Sequence, residues 1–166
     1  MKKAFTLVEI LIVVVILGIL ASVVLPGLQG QTSRANSVAA MNMLKTLRNQ
    51  IEVYKFHHFE QTPGVVNGTV VSEEKLVLQF TKCTKTDGSV SAFIQKSGDY
   101  VCGPYVPRIA VNPYNSKNTI KIVADETEFS AVADGVSSGW LYKTGTGEMR
   151  INSTRTDDFG VKYYEL

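Results

Sequence analysis

Between Glu9 and Arg34 the chain carries no charge: residues 10–33 are 24 uncharged positions, and 10–28 read ILIVVVILGILASVVLPGL with Ser22 the single polar side chain. A helix over 10–28 is about 28 Å long, close to the roughly 30 Å of a bilayer's hydrocarbon. This run can span a membrane. Lys2 and Lys3 precede it and the bulk of the chain follows, so the positive-inside rule keeps the N-terminus in the cytoplasm and exports the rest. A secretory signal has a similar outline but needs a shorter apolar core and a small-x-small cleavage site, which Ala21, Ser22 and Val23 fit poorly. Glu9 is also out of place in a signal. A carboxylate at the head of an apolar run calls for a partner, or for a place among lipid headgroups.

A chain of 166 residues leaves room, beyond this run, for one further domain. Ala40, Leu44, Leu47, Ile51 and Tyr54 recur at helical spacing with Lys45, Asn49 and Glu52 between them, so the helix continues to about Phe56 as an amphipathic rod. Pro26, with Gly27 and Gly30, is expected to kink it or melt it locally, since proline removes a main-chain hydrogen bond and clashes with the preceding turn. The rod ends at the turn Gln61, Thr62, Pro63, Gly64. Ser72, Glu73, Glu74 and Lys75 then open a second, short helix containing Leu76 and Phe80. Three strand candidates follow at 119–124, 139–143 and 148–152, the last two forming a hairpin with one buried face, and 161–164 is a candidate edge strand. Helix and strands together predict an α+β fold, a small antiparallel sheet laid on the C-terminal half of a long hydrophobic helix.

Charge and motif content narrow the function. The 17 basic and 15 acidic residues include no basic block, which argues against nucleic acid as a primary partner. The sequence holds no Gly-x-Ser-x-Gly, no phosphate loop and no metal-ligand cluster, so no enzyme and no cofactor are expected. His57 and His58 with Glu60 lack the further ligands a metal needs. Cys83 and Cys102, without zinc or redox spacing, read as a disulfide of an exported domain, or as two buried unpaired thiols in a reducing compartment. Asp157 and Asp158 are a weak calcium candidate, two exposed acids being more often simply solvated.

Met1, Lys2, Lys3 and Ala4, followed by Phe5, Thr6, Leu7, Val8 and Glu9, the apolar run, Pro26 and a first later charge at Arg34, resemble the bacterial type IV pilin and type II secretion pseudopilin superfamily. The resemblance covers roughly residues 1–60; Ala4 stands where the family usually has Gly. It implies a ladle-shaped pilin fold with a leader at 1–4, a transmembrane and filament-core helix half at 5–30, and a periplasmic or extracellular head at 31–166. It implies cleavage by a prepilin peptidase between Ala4 and Phe5, N-methylation of Phe5, and a Glu9 carboxylate that neutralises the N-terminus of a neighbouring subunit. The expected function is a structural subunit of a type IV pilus-like homo-oligomeric filament, inserted in the inner membrane before assembly. Its expected partners are the peptidase, an inner-membrane assembly platform and minor pilins or pseudopilins. A pseudopilin of a periplasmic secretion or DNA-uptake pseudopilus is the alternative. A single-pass anchored binding module is the alternative of a different class, and it leaves Glu9 and the Phe5 junction unexplained.

Overall fold

The computed structural model describes residues 6–157 and 159–166, the side chains of 23–30 excepted. Two compact units divide at Val38 and Ala39. The long helix α1 (Leu7–His57) supplies residues to both.

In the first unit α1 is helical throughout, Pro26 included. The main chain is helical across Pro26, Gly27 and Gly30, where a kink or local melting was expected. One proline forfeits a single i to i−4 bond, and the main chain is helical on both sides of it. The side chains of these three residues lie outside the described set.

The second unit is built on the stripe read from the sequence. Ala40, Leu44, Leu47, Ile51 and Tyr54 are all fully buried on one face of α1. Against them pack Leu76 and Phe80 of α2 (Glu73–Thr81), whose first turn is capped by Ser72 Oγ accepting from the Lys75 N–H at 3.3 Å. The other wall is a three-stranded sheet of β3 (Ile120–Val123), β4 (Trp140–Lys143) and β5 (Met149–Ile151), in the order β3-β4-β5. Trp140, Tyr142, Met149, Ile151 and Ile120 complete the core. The chain is therefore α+β.

Three features differ from the sequence reading. First, β3 runs parallel to β4, Ile120 opposite Trp140, so the sheet is mixed; β4 and β5 form the expected antiparallel hairpin. Parallel neighbours need a crossover of about a dozen residues, often helical, and 124–139 with its short helix α3 (Phe129–Val132) supplies it. Second, all four residues of β4 are buried. Trp140 and Tyr142 face the main core, while Leu141 packs with Val123 and Phe129 because α3 covers the outer face. Lys143 completes that cover, its Nζ 4.8 Å from the Phe129 ring centroid and donating to the Asp125 carbonyl at 3.0 Å. Third, residues 161–164 do not extend the sheet; one bridge between Thr156 and Lys162 stands in their place.

A second, two-stranded sheet was not read from the sequence. Its strands, β1 (Val65–Val66) and β2 (Thr69–Val70), pair antiparallel across Asn67 and Gly68, which both have positive φ (50° and 75°). That is the geometry Asn-Gly favours in a two-residue hairpin.

The head is closed by a buried polar network. Asn152, with no exposed surface, accepts from the N–H groups of Asp134 and Gly135 at 3.0 and 2.8 Å, and donates to Asp134 Oδ1 at 2.9 Å and the Ser138 carbonyl at 3.0 Å. Asn112 and Asn115 donate to its main-chain carbonyl at 3.2 and 3.3 Å. One side chain thus ties the end of β5 to the 134–139 loop, and its carbonyl ties both to the turn at 112–115.

Candidate assembly site

The sequence around Thr6 predicts a helix start, since Thr followed three residues later by Glu is a capping box. The structure has this box. The Glu9 N–H donates to Thr6 Oγ1 at 3.3 Å, while Glu9 Oε2 accepts from the Thr6 N–H at 2.9 Å and from its hydroxyl at 2.8 Å. Each residue satisfies a donor that the first helical turn would otherwise leave without an intrahelical partner. The carboxylate also lies at the positive end of the helix dipole, where negative charge is favoured. Thr6 was not singled out in the sequence, although the Thr-x-x-Glu spacing was there to read.

Around and after this charged end the helix is apolar on every side. From Val8 to Leu20 every large apolar side chain is at least half exposed, and Leu7 is 83 % exposed. An amphipathic helix would show one dry face and one polar face; a helix apolar all round belongs in lipid or among other apolar helices. The surface is far beyond the scattered exposed residues of a soluble protein. Among the described residues no helix is long and apolar enough to cross a membrane, and the expected span 10–28 extends into the stretch whose side chains are not described. Ala4 and Phe5, the expected cleavage pair, lie outside the described residues.

The remaining sequence candidates serve the head. Cys83 and Cys102, read from the sequence as a disulfide or as two unpaired thiols, are both buried and separate in this structure. Thr84 is the antiparallel partner of Cys102, with N–H to carbonyl bonds of 2.9 and 3.1 Å in both directions. Strand alternation then sends Thr84 and Cys102 to one side and Cys83 to the other. The Cys83 thiol meets the Ile94 carbonyl at 2.8 Å and the Cys102 thiol the His57 carbonyl at 3.9 Å. Burial pushes the Cys102 thiol pKa up.

His58 is buried, stacked on Tyr54 with ring centroids 3.8 Å apart. Its Nδ1 donates to the Thr86 carbonyl at 3.0 Å, which makes Nε2 the acceptor for the hydroxyls of Tyr105 and Thr84, each 3.1 Å away. Burial lowers its pKa. It is a fastener between the end of α1 and the 84–105 segment, and its nitrogens are engaged by protein. Among the described residues no group of three or more His, Cys, Asp or Glu side chains could hold a metal. Asp157 Oδ1 accepts from the N–H groups of Phe159 and Val161, both at 2.9 Å, and so shapes its own loop; Asp158 lies outside the described residues.

Residues 1–25 match the model of the prokaryotic N-terminal methylation motif. The type II secretion system core protein G of Vibrio cholerae is 47 % identical over 155 residues, 88 % of each chain. The chain belongs to the type IV pilin and type II secretion pseudopilin superfamily. The core protein G of Escherichia coli is 40 % identical over 63 residues, 37 % of this chain and 43 % of that protein. This chain therefore spans less than half the length of that relative. A fimbrial protein of Pseudomonas aeruginosa is 32 % identical over 94 residues, 57 % of this chain and 58 % of its own. No solved structure matches. Both the pilin and the pseudopilin branches of the superfamily are thus represented among its relatives, and the methylation motif covers the segment that contains Glu9.

Proposed function

We propose that this chain is a structural subunit of a pilus-like filament, held in the inner membrane by its N-terminal helix until it is processed and polymerised. The observation that carries the reading is the unbroken apolar surface from Leu7 to Leu20, headed by a single carboxylate. Such a surface has two low-energy environments, lipid and a bundle of like helices, and passage from one to the other is assembly. In this reading a prepilin peptidase cuts between Ala4 and Phe5 and the new Phe5 amine is methylated. The amine of one subunit then meets Glu9 of its neighbour, and a carboxylate and an ammonium that would each be costly alone in an apolar bundle set the register together. The capping box holds Glu9 in place until that partner arrives. The head, the pilin ladle bowl of 31–166, is carried to the outside.

The near full-length likeness to a type II secretion core protein G favours the periplasmic pseudopilus over a surface pilus. Partners are then an inner-membrane assembly platform and minor pseudopilins. Replacing Glu9 by Ala tests the mechanism: membrane insertion is expected to persist while copy-to-copy cross-linking and filament yield fall. Normal filaments in that variant would refute the pairing.

A further inference from the structure

Residues 92–99 are exposed throughout, yet their main chain is fastened. Lys82 Nζ donates to the Ala92 carbonyl at 2.7 Å, the Phe93 N–H donates to Ser91 Oγ at 3.0 Å, and the Cys83 thiol donates to the Ile94 carbonyl at 2.8 Å. The two side chains these bonds hold outward are apolar, Phe93 at 73 % exposure and Ile94 at 62 %. Single exposed apolar residues are ordinary; two in succession on a fastened tip make a presented surface. The charge around it is positive. Lys82 and Lys96 flank the tip, and the acid beside them, Asp99, is already bound by Lys85 at 3.0 Å.

The same unit carries a recess of matching character. Between α2, the 107–109 segment and the start of β3 lies a groove of about 530 Å³ lined by Val77, Pro107, Ile109 and Ile120, with Glu73 and Glu74 on its rim. Arg108 also borders it, so the rim is net negative by one charge. Its volume is in the range that holds drug-sized ligands, enough for a phenyl ring and a branched aliphatic side chain.

We infer that the Phe93–Ile94 tip of one copy seats in the Glu73–Glu74 groove of a second copy. Tip and groove are both apolar and opposite in rim charge, which selects the pairing and its orientation. The exposure of Phe93 shows that a copy does not fill its own groove. Because the two patches differ, the contact is heterologous: every copy that offers its tip leaves its groove free for another, and repetition gives an open array instead of a closed dimer. The inference rests on the filament-subunit reading and names the head surfaces that meet in it. It also gives Cys83 a task, since its thiol positions the tip and a disulfide would withdraw that contact.

The test uses the full chain expressed in cells as a mixture of light and heavy isotopic copies. The photoreactive residue benzoylphenylalanine replaces Phe93 in one sample and Val13 of the apolar helix in another. Cross-linked peptides are then identified by mass spectrometry. Light-to-heavy links from position 93 to peptides holding 73–81 or 107–120 are expected. With the probe at 93, Ile94→Ser should lower the yield of those links about tenfold, the effect of losing one buried aliphatic side chain. Lys96→Glu and Glu74→Lys should each lower it, and the double charge swap should restore it; both sites are exposed, so folding is not at stake. Links from 93 to other surfaces, to lipid, to a different protein or to its own copy, with copy-to-copy links intact from position 13, overturn the inference and leave the filament reading standing. Absence of copy-to-copy links from both positions overturns both.

Discussion

Replacing Asn152 by Ala should cost about 2–4 kcal/mol, because it strips the head of one group that several others depend on. The side chain has no exposed surface and makes at least four hydrogen bonds of 2.8–3.0 Å. Each buried donor or acceptor left without a partner costs about 1–3 kcal/mol. The Ser138 carbonyl keeps the 2.8 Å bond from Asn115 Nδ2, so the penalty falls on the Asp134 and Gly135 N–H groups, of which water recovers part because Asp134 is exposed and Gly135 half-buried, and on the packing lost with a fully buried side chain. At roughly 2–4 °C per kcal/mol for a chain of this size, the midpoint should drop by about 10 °C. Asn152→Asp is the sharper variant. It keeps the shape and both acceptor positions but replaces the donor to Asp134 Oδ1 with a second carboxylate, so it should cost more than Ala at neutral pH and recover as the pH falls toward 4. Trp140 reports the transition, being the sole tryptophan and fully buried with its Nε1 donating to the Ala110 carbonyl at 2.8 Å. The assay is tryptophan fluorescence of the full chain in detergent micelles, on heating for the midpoint temperature and during guanidinium titration for the free energy. An Ala variant within about 0.5 kcal/mol of the parent, or an Asp variant as stable as the parent at neutral pH, would refute the assignment of this network as the bolt of the head.

Other expectations follow from the same contacts. Arg48 reaches from α1 to donate to the Met149 carbonyl through Nε at 3.1 Å and Nη2 at 2.8 Å, and to the Leu166 main-chain oxygen at 2.6 Å. Arg48→Ala should cost about 1.5–3 kcal/mol in the same fluorescence assay, and Arg48→Lys should rescue little because an ammonium lacks the planar fork. Acid should weaken the head in two stages. Burial holds the His58 pKa below its ordinary 6.5, so the folded form refuses a proton that the unfolded chain accepts; stability is full above about pH 6.5, declines as the pH falls below it, and His58→Gln should remove this stage. Asp134, whose carboxylate accepts from the N–H groups of Val136 and Ser137, has its pKa pushed down from 3.8, and its contribution is present above that value and lost as the pH falls further. For the cysteines, an alkylating reagent should find little reactive thiol in the folded protein and two per chain after unfolding without reductant; none after unfolding would mean that a disulfide had formed.

The parts of the fold that were legible in the sequence are those where one residue type repeats at a fixed period. The stripe Ala40, Leu44, Leu47, Ile51, Tyr54 and the paired strands around Trp140 and Met149 are set by burial of a face, and periodicity reports faces. The direction of β3 was not legible, because alternation in Ile120–Val123 is the same for parallel and antiparallel neighbours and the deciding element, α3, is a four-residue helix. The hairpin at Asn67 and Gly68 was not legible, because its strands are only two residues each, too short for a period to show. The free thiols depend on register at Thr84 and Cys102, a contact between distant segments that spacing does not encode. At the site, Glu9 stood out because a charge beside an apolar run is costly, whereas Thr6 is a small polar residue whose role exists through the three-residue step to Glu9. The groove beside α2 and the tip at Phe93 likewise become visible when burial is known, since phenylalanine in a sequence reads as core.

The central claim, that a processed apolar helix drives polymerisation, is tested most directly by the intact mass of the protein recovered from an assembled filament fraction, compared with that in the membrane pellet. The account predicts polymer made of chains beginning at Phe5 and carrying one added methyl, with no loss of hydrogen at the cysteines. Chains beginning at Met1, confined to the membrane and giving no polymer, would contradict it.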